Sequence, residues 1–272
     1  MTDIHAHFVF QVDDGARNLD ESLAMLEQAV NAGIENIVAT PHITEAATTA
    51  GNERIKEHFQ IIQNEITAKN LSVNIYLGSE IYYNEFVYQW KEAAWYTINN
   101  NQKYLLFELP MFYLPVNVSD FIFQCKLQGI TPILAHPERY LYLHKRSELL
   151  VSWLGQGCLL QMNAGSITGA FGKRIEWFSR KLLSEGLFSF VASDAHDTEN
   201  RTFNTLNEAK KKTEQFLDDQ YIDRLFTINP LSAVKGDPVL PLMAGDRIFS
   251  KNKFKKLLDK MKFLPKSHKD LN

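Results

Sequence analysis

Five of the eight histidines in this 272-residue sequence, His5, His7, His42, His136 and His196, stand with Asp14, Glu80, Glu108 and Asp194 where apolar runs end. All nine offer nitrogen or oxygen donors, and they are more numerous than one cation can accept, so a di- or trinuclear site of Mn, Fe or Zn fits the ligand set. The carboxylate content favours manganese, while the imidazoles also suit zinc. His5 and His7 are two residues apart, which in a strand puts both side chains on one face and lets a single ion take both. A lone Glu108 is more simply a hydrogen-bonded residue at a strand end. Nine such groups together argue otherwise, because unpaired carboxylates buried without cations neutralise or recruit a counter-charge.

Two arginines extend the pattern. Arg139 lies three residues past His136 and Arg201 five past His196, so both belong to loops beside the candidate ligands. A planar, permanently charged guanidinium matches a phosphate dianion, although a surface ion pair is the ordinary alternative. Paired ions and arginines suit in-line displacement at phosphorus, with water activated as the nucleophile.

The elements that must position these groups are readable as seven short apolar segments. They run Asp3–His7, Asn36–His42, Val73–Glu80, Tyr104–Glu108, Thr131–His136, Cys158–Asn163 and Phe188–His196. Runs of this kind, rich in Val, Ile, Leu and Phe and closed by polar residues, describe strands buried on both faces. With His5, His42, Glu80, Glu108, His136, Asn163 and Asp194 as markers, the intervals are 37, 38, 28, 28, 27 and 31 residues. Each interval has room for a strand, a helix and two turns.

Helical periodicity fills the gaps. Leu19, Leu23, Leu26 and Val30 follow a capping Asn18 and end at Gly33; Ile55, Phe59, Ile62 and Ile66 make a second helix. A third starts near Ser119 and Asp120 and stops at Gly129, and others cover Ser147–Gly157, Arg174–Gly186 and Asn200–Leu217. Alternation of this sort implies parallel strands joined by right-handed crossovers, with ligands gathered at one mouth. The expected fold is α/β, a distorted TIM-like (β/α)7 barrel.

One domain spanning 1–272 is the expectation, with 237–272 a C-terminal helical and basic extension. The lysines from Phe249 to Asn272 read as a solvated helix face, with an acidic partner as the alternative. A net charge of -3 gives no broad footprint for nucleic acid. Cys125 and Cys158 show no paired spacing, the first strand begins too early for a signal peptide, and no apolar run reaches about 18 residues. A cytoplasmic protein without membrane insertion is expected.

Taken together, His5-Ala6-His7, Asp13-Asp14-Gly15, Ala39-Thr40-Pro41-His42, Gly78-Ser79-Glu80, Phe107-Glu108-Leu109-Pro110, Ala135-His136-Pro137-Glu138-Arg139-Tyr140, Asn163-Ala164-Gly165-Ser166 and Ser193-Asp194-Ala195-His196 resemble the polymerase and histidinol phosphatase superfamily. Within it they look like the manganese-dependent protein-tyrosine phosphatases of bacterial capsule and exopolysaccharide systems. The likeness runs from residue 3 to about residue 236.

That resemblance implies three manganese ions. His5, His7, Glu80 and Asp194 would hold the first, a bridging Glu80 with Glu108 and His136 the second, and Asp14, His42 and His196 the third. It implies that Arg139 and Arg201 contact phosphate and that metal-activated hydroxide attacks phosphorus directly. His196 or a bound water would help the phenolate leave, which with a pKa of about 10 needs little help. The implied substrate is a tyrosine-phosphorylated protein, the C-terminal tail of a bacterial tyrosine kinase. Where relatives carry Leu-Pro-Gly after the His pair, this sequence has Val9-Phe10-Gln11, which alters the rim.

A small-molecule phosphomonoesterase of the histidinol-phosphate type is the alternative, although Asp14 and Glu108 stand where those relatives tend to have histidines. A metal-dependent nuclease or editing domain, and a non-catalytic scaffold, are the readings from other classes. The aromatics Tyr82, Tyr83, Phe86, Tyr88, Trp90, Trp95 and Tyr96 are expected mainly to pack under a loop rather than to stack on a substrate ring. His58, His144 and His268 lack a strand-end context and are expected to be ordinary surface or helix residues.

Overall fold

The computed structural model describes residues 1–43, 49–84 and 96–239. Seven expected strand segments become nine strands, because two of them break in the middle. The first is β1, Thr2–Ala6. Asn36–His42 divides into β2, Asn36–Ala39, and β3, His42–Ile43; Val73–Glu80 divides into β4, Asn74–Leu77, and β5, Glu80–Tyr82. The other four follow as β6, Tyr104–Glu108, β7, Thr131–Ala135, β8, Leu159–Asn163, and β9, Phe190–Ala192. The breaks fall at Pro41, which has no N–H for a ladder, and at Gly78. Gly78 N and Glu80 N donate to the Ala39 and Pro41 carbonyls, so the neighbouring chains stay together through the interruption.

Every strand pair is parallel. The orders are β1-β2-β4 in one sheet and β3-β5-β6-β7-β8-β9 in the other. Beyond the end of β9, Asp194 N donates to His5 O at 2.9 Å and His7 N to Ala195 O at 2.8 Å, which lays the last strand's exit beside β1.

The helices connect the strands as the periodicity suggests: α1, Leu19–Asn31; α2, Thr49–Ala68; α3, Val118–Leu127; α4, Glu148–Gly155; α6, Lys173–Ser184; α7, Asn204–Thr213. Asn18 caps α1 by accepting from Glu21 N, satisfying one of the orphan amides of the first turn. A short α5, Ala164–Thr168, follows β8 directly, and α8, Asp219–Asp223, a π-helical stretch and α9, Asn229–Lys235, complete the described chain. None of these last elements shows in the sequence periodicity.

Strand alternation divides the interior in two. Ala6, Ile37, Phe107, Leu134, Leu160, Met162 and Val191 pack with the helices in the larger core. Ile4, Val38, Leu106, Ile133, Leu159, Phe190 and Ala192 form a smaller core with Ala233 and Val234 of α9. Apart from the partly exposed β4, the strands are buried on both faces, which explains their apolar composition and the polar residues at their ends. Among the described residues no helix is long and apolar enough to cross a membrane.

His144 is a helix residue, one of the two expected settings, on the 3-10 helix Leu141–Lys145, where its Nε2 donates to the Glu138 carbonyl at 2.8 Å and its ring stacks on Phe178. His58 likewise donates from Nδ1 to the Phe10 carbonyl at 2.8 Å and stacks on the Phe10 ring. It therefore anchors the Val9-Phe10-Gln11 loop, where Gln11 takes the left-handed conformation that a glycine adopts more cheaply. Tyr83 and Tyr96 are buried, as packing aromatics should be. Phe86, Tyr88, Trp90, Trp95, His268 and the basic stretch from Phe249 lie outside the described residues.

Candidate metal centre

Parallel strands deliver their C-terminal ends to one side, and the candidate ligands sit there for that reason. His5 lies within β1 and His7 just past it. His42 pairs in register with Glu80, and Tyr82 of the same strand pairs with Glu108. His136 and Asp194 follow β7 and β9 on left-handed backbone, φ 34° and 55°, which costs on the order of 1–3 kcal/mol each and turns both side chains back toward the strand ends.

All nine candidate ligands gather into overlapping groups of mutually close donor atoms. His7, Asp14, His42 and His196 make one, His5, His7 and Glu80 a second, His5, His136 and Asp194 a third, and His42, Glu80 and Glu108 a fourth. Glu80 is the hub. Its Oε2 lies 3.1 Å from His5 Nε2, 3.4 Å from His7 Nε2 and 3.1 Å from His42 Nδ1, and its Oε1 lies 3.0 Å from His136 Nε2. Asp194 Oδ1 faces His5, His7 and His196, and Asp14 Oδ1 lies 3.4 Å from both His42 Nε2 and His196 Nε2.

A second layer fixes the rings. His5 Nδ1 donates to Gln161 Oε1 at 3.0 Å and His7 Nδ1 to Asp13 Oδ2 at 2.8 Å. With their protons committed outward, both Nε2 lone pairs point inward, 3.2 Å apart. Two facing lone pairs beside a carboxylate require positive charge between them. Buried His42 Nδ1, Glu80 Oε2, His136 Nδ1 and His196 Nε2 also lack a hydrogen-bond partner of good geometry. Nitrogen and oxygen donors left open in this way fit bound cations.

The electrostatics agree. Burial alone would pull the His5 imidazole down, but Glu80 and Asp194 hold it up at about 9. Burial opposes His42 too, and hydrogen bonding to Asp14 and Glu108 raises it to about 12. Glu80 stays well below the usual carboxylate range despite burial because of His5 and His136. Asp194 is likewise lowered against its burial, by His5 and Arg201. Without cations, protons are drawn to the places cations would take.

Both arginines converge on the far oxygen of Asp194. Arg139 Nη1 donates to Oδ2 at 3.1 Å and Arg201 Nη2 pairs with it at 2.6 Å. Arg139 also lies over the Phe171 ring, 4.4 Å from its centroid. Asn163 Nδ2 donates to the same oxygen at 2.6 Å, so Oδ1 is left to the imidazoles.

Sequence reasoning missed this supporting layer. Asp13 holds His7 and also accepts from the His42 backbone amide, Gln161 orients His5, and Asn163 orients Asp194. Glu138, buried and raised by that burial, accepts from Asn163 N and Ser166 Oγ and so ties the His136 turn to the end of β8. A polar Gln161 inside the apolar run Leu159–Met162 was the available signal. His196 carries two expected roles on one nitrogen: its Nδ1 donates to the Asp194 carbonyl at 3.0 Å, leaving only Nε2 to take either a cation or a proton.

Beside Asp14 and His196 lies a cavity of about 270 Å³, lined also by Arg17, Glu21, Asp197 and Glu199.

Known proteins resemble this chain over most of its length. The family model for capsular polysaccharide synthesis, CpsB/CapC, matches residues 1–235. Tyrosine-protein phosphatase YwqE of Bacillus subtilis (strain 168) is 32% identical over 206 residues, covering 75% of this chain and 81% of its own length. Tyrosine-protein phosphatase CpsB of Streptococcus agalactiae serotype V is 32% identical over 206 residues, covering 74% and 85%. A chain from the solved structures of YwqE from Bacillus subtilis and CpsB from Streptococcus pneumoniae, described as unique metal-dependent tyrosine phosphatases, superposes with a TM-score of 0.82 at 29% identity, covering 89% of this chain and 97% of that one. A β-aspartyl dipeptidase from Fervidobacterium islandicum shares the fold alone, at 10% identity and a TM-score of 0.52.

Proposed function

The chain belongs to the capsular polysaccharide synthesis family CpsB/CapC, and from that premise we propose that it is a metal-dependent protein-tyrosine phosphatase that hydrolyses phosphotyrosine in a protein. One observation carries the reading: nine donor groups and two arginines from six of the seven strand ends meet around Glu80 and Asp194. Nothing in the site offers a thiolate nucleophile, since Cys125 and Cys158 are both buried away from it in α3 and before β8.

Manganese suits the carboxylate-rich set best, with iron and zinc as alternatives. Three ions would be held by His5, His7, Glu80 and Asp194, by Glu80, Glu108 and His136, and by Asp14, His42 and His196. Such ions, when bound, supply Lewis acidity that activates water and stabilises the attacking and leaving oxygens. This chain's own residues do the rest. Arg139 and Arg201, both already directed to one oxygen of Asp194, would pass their donors to the equatorial oxygens of the phosphate and neutralise charge there. Asn163 would keep Asp194 in place once the guanidiniums transfer. His196 Nε2 is assigned to a cation rather than to proton transfer, because a tyrosine phenolate leaves without strong acid help.

A role in capsular polysaccharide synthesis is supported by the family's description and a phosphotyrosine-protein substrate by its relatives' names, and the kinase tail stays what the resemblance implies. The fold we propose is a distorted seven-unit barrel, supported by the parallel order and by the backbone bonds that bring the exit of β9 to β1.

Turnover on a phosphotyrosyl peptide and on histidinol phosphate, each with and without chelator, tests the assignment. We expect chelator-sensitive hydrolysis that favours the peptide. Faster turnover of histidinol phosphate would move the chain to the small-molecule reading, and chelator-resistant turnover would remove the metal from it.

A further inference from the structure

β6 ends at Glu108, whose carboxylate faces His42 and His136 in the centre. The chain then runs through Leu109-Pro110-Met111-Phe112-Tyr113-Leu114-Pro115-Val116-Asn117 to α3, with no charged residue. Both ends of this loop are tied down. Leu109 N donates to Tyr140 Oη at 2.9 Å, Tyr142 Oη donates to the Pro110 carbonyl at 2.9 Å, and Tyr83 Oη donates to the Val116 carbonyl at 2.8 Å. Met111 and Leu114 turn inward onto the larger core. Phe112, Tyr113 and Val116 turn outward, 95%, 61% and 77% exposed.

A loop that packs its other apolar residues and still presents three to water is holding them out. Surfaces of that kind commonly mark binding sites. Tyr113 and Glu108 both act electrostatically on the Tyr82 phenol, so the loop's ring and the centre's carboxylate share one neighbourhood.

We propose that this loop reads an apolar side chain flanking the phosphotyrosine of the substrate, which deepens the phosphatase reading and rests on it. Phe112 is four residues from Glu108, at most about 14 Å along the chain, so the side chain it meets lies within about four positions of the phosphotyrosine. An uncharged loop offers nothing to an acidic or basic flank, and burial of an apolar one removes both surfaces from water. A second copy of this chain fits less well, because anything seated permanently here would crowd the mouth through which a protein substrate enters.

The test uses the full chain loaded with manganese and three substrates: free phosphotyrosine, a phosphotyrosyl peptide with Leu and Phe within four positions, and the same peptide with Ser there. Wild type is expected to favour the apolar peptide by about tenfold in kcat/KM, the lower end of what one apolar group in a pocket provides. The Phe112→Ala, Tyr113→Ala double variant should lose that preference while metal content and turnover of free phosphotyrosine stay within twofold. Phe112→Leu should restore most of it. A wild type without preference, or a variant that keeps it, overturns the inference while the phosphatase reading stands. So does a variant that changes only the sedimenting mass, which would assign the loop to self-association. Absence of turnover on all three substrates overturns the phosphatase reading and this inference with it.

Discussion

The centre has a deep side and an outer side, and they are built differently. His5, His7, Glu80, His136 and Asp194 are buried, whereas the Asp14 side chain is 65% exposed and His42 and Glu108 are partly open. The deep imidazoles of His5 and His7 each have the outward nitrogen held by a side-chain acceptor, and Asp194 is steadied by Asn163. The outer groups have fewer such supports and meet the cavity at Asp14 and the apolar loop at Glu108. Rigidity is concentrated where cations need fixed geometry; openness is kept where a protein-sized substrate must arrive.

Breaking the deep side should cost most. Glu80→Gln removes the carboxylate charge that faces four imidazoles, and we expect metal content and phosphatase turnover to fall together by more than about 100-fold, beyond what loss of a supporting residue produces. Metal analysis beside a phosphotyrosine assay reads both. Asp13→Ala leaves every ligand in place and frees His7 Nδ1; metal affinity measured by competition with a chelating dye should drop by about 10- to 100-fold. Retention of wild-type affinity there would show that the second layer does not tune the first.

Acidity separates the two sides without mutation. In metal-free protein the His5 imidazole is held at about 9 and must lose its proton to accept a cation, so metal affinity should climb with pH between about 6.5 and 9, by up to about tenfold per unit for each proton displaced. Stability of the metal-free protein runs the other way. A raised imidazole contributes fully below its unfolded value of about 6.5 and loses that contribution as pH rises through about 9. Melting curves with and without manganese across that window should therefore diverge as pH rises.

The smallest effect is expected at the outer cavity wall. Arg17 pairs with Glu21 but its side chain is 81% exposed, so solvent screens the pair and Arg17→Ala should leave the melting temperature and the metal content near those of wild type.

Much of this architecture is visible in the residues themselves, because strands buried on both faces force polar side chains to their ends. That is why Glu108, His136 and Asp194 stand out; Asn18 and Gly33 bracket α1 for a separate reason, the cap on its first turn and the left-handed residue past its last. What escapes such reading is polar support within apolar runs. Gln161 looks like an interruption of β8 until the fold brings it beside His5, and Asn163, legible as a strand end, shows its partner Asp194 only in the fold. Local chemistry also hides long-range packing: α9 begins at an Asn-Pro pair that weakens periodicity, yet Ala233 and Val234 complete the smaller core. The breaks at Pro41 and Gly78 follow from backbone properties that a count of apolar residues does not register.

Anomalous diffraction from crystals soaked in manganese tests the account most directly. It predicts separate peaks beside His5, His7 and Asp194, between Glu80, Glu108 and His136, and among Asp14, His42 and His196. Crystals of active protein without a peak at Glu80 would contradict it.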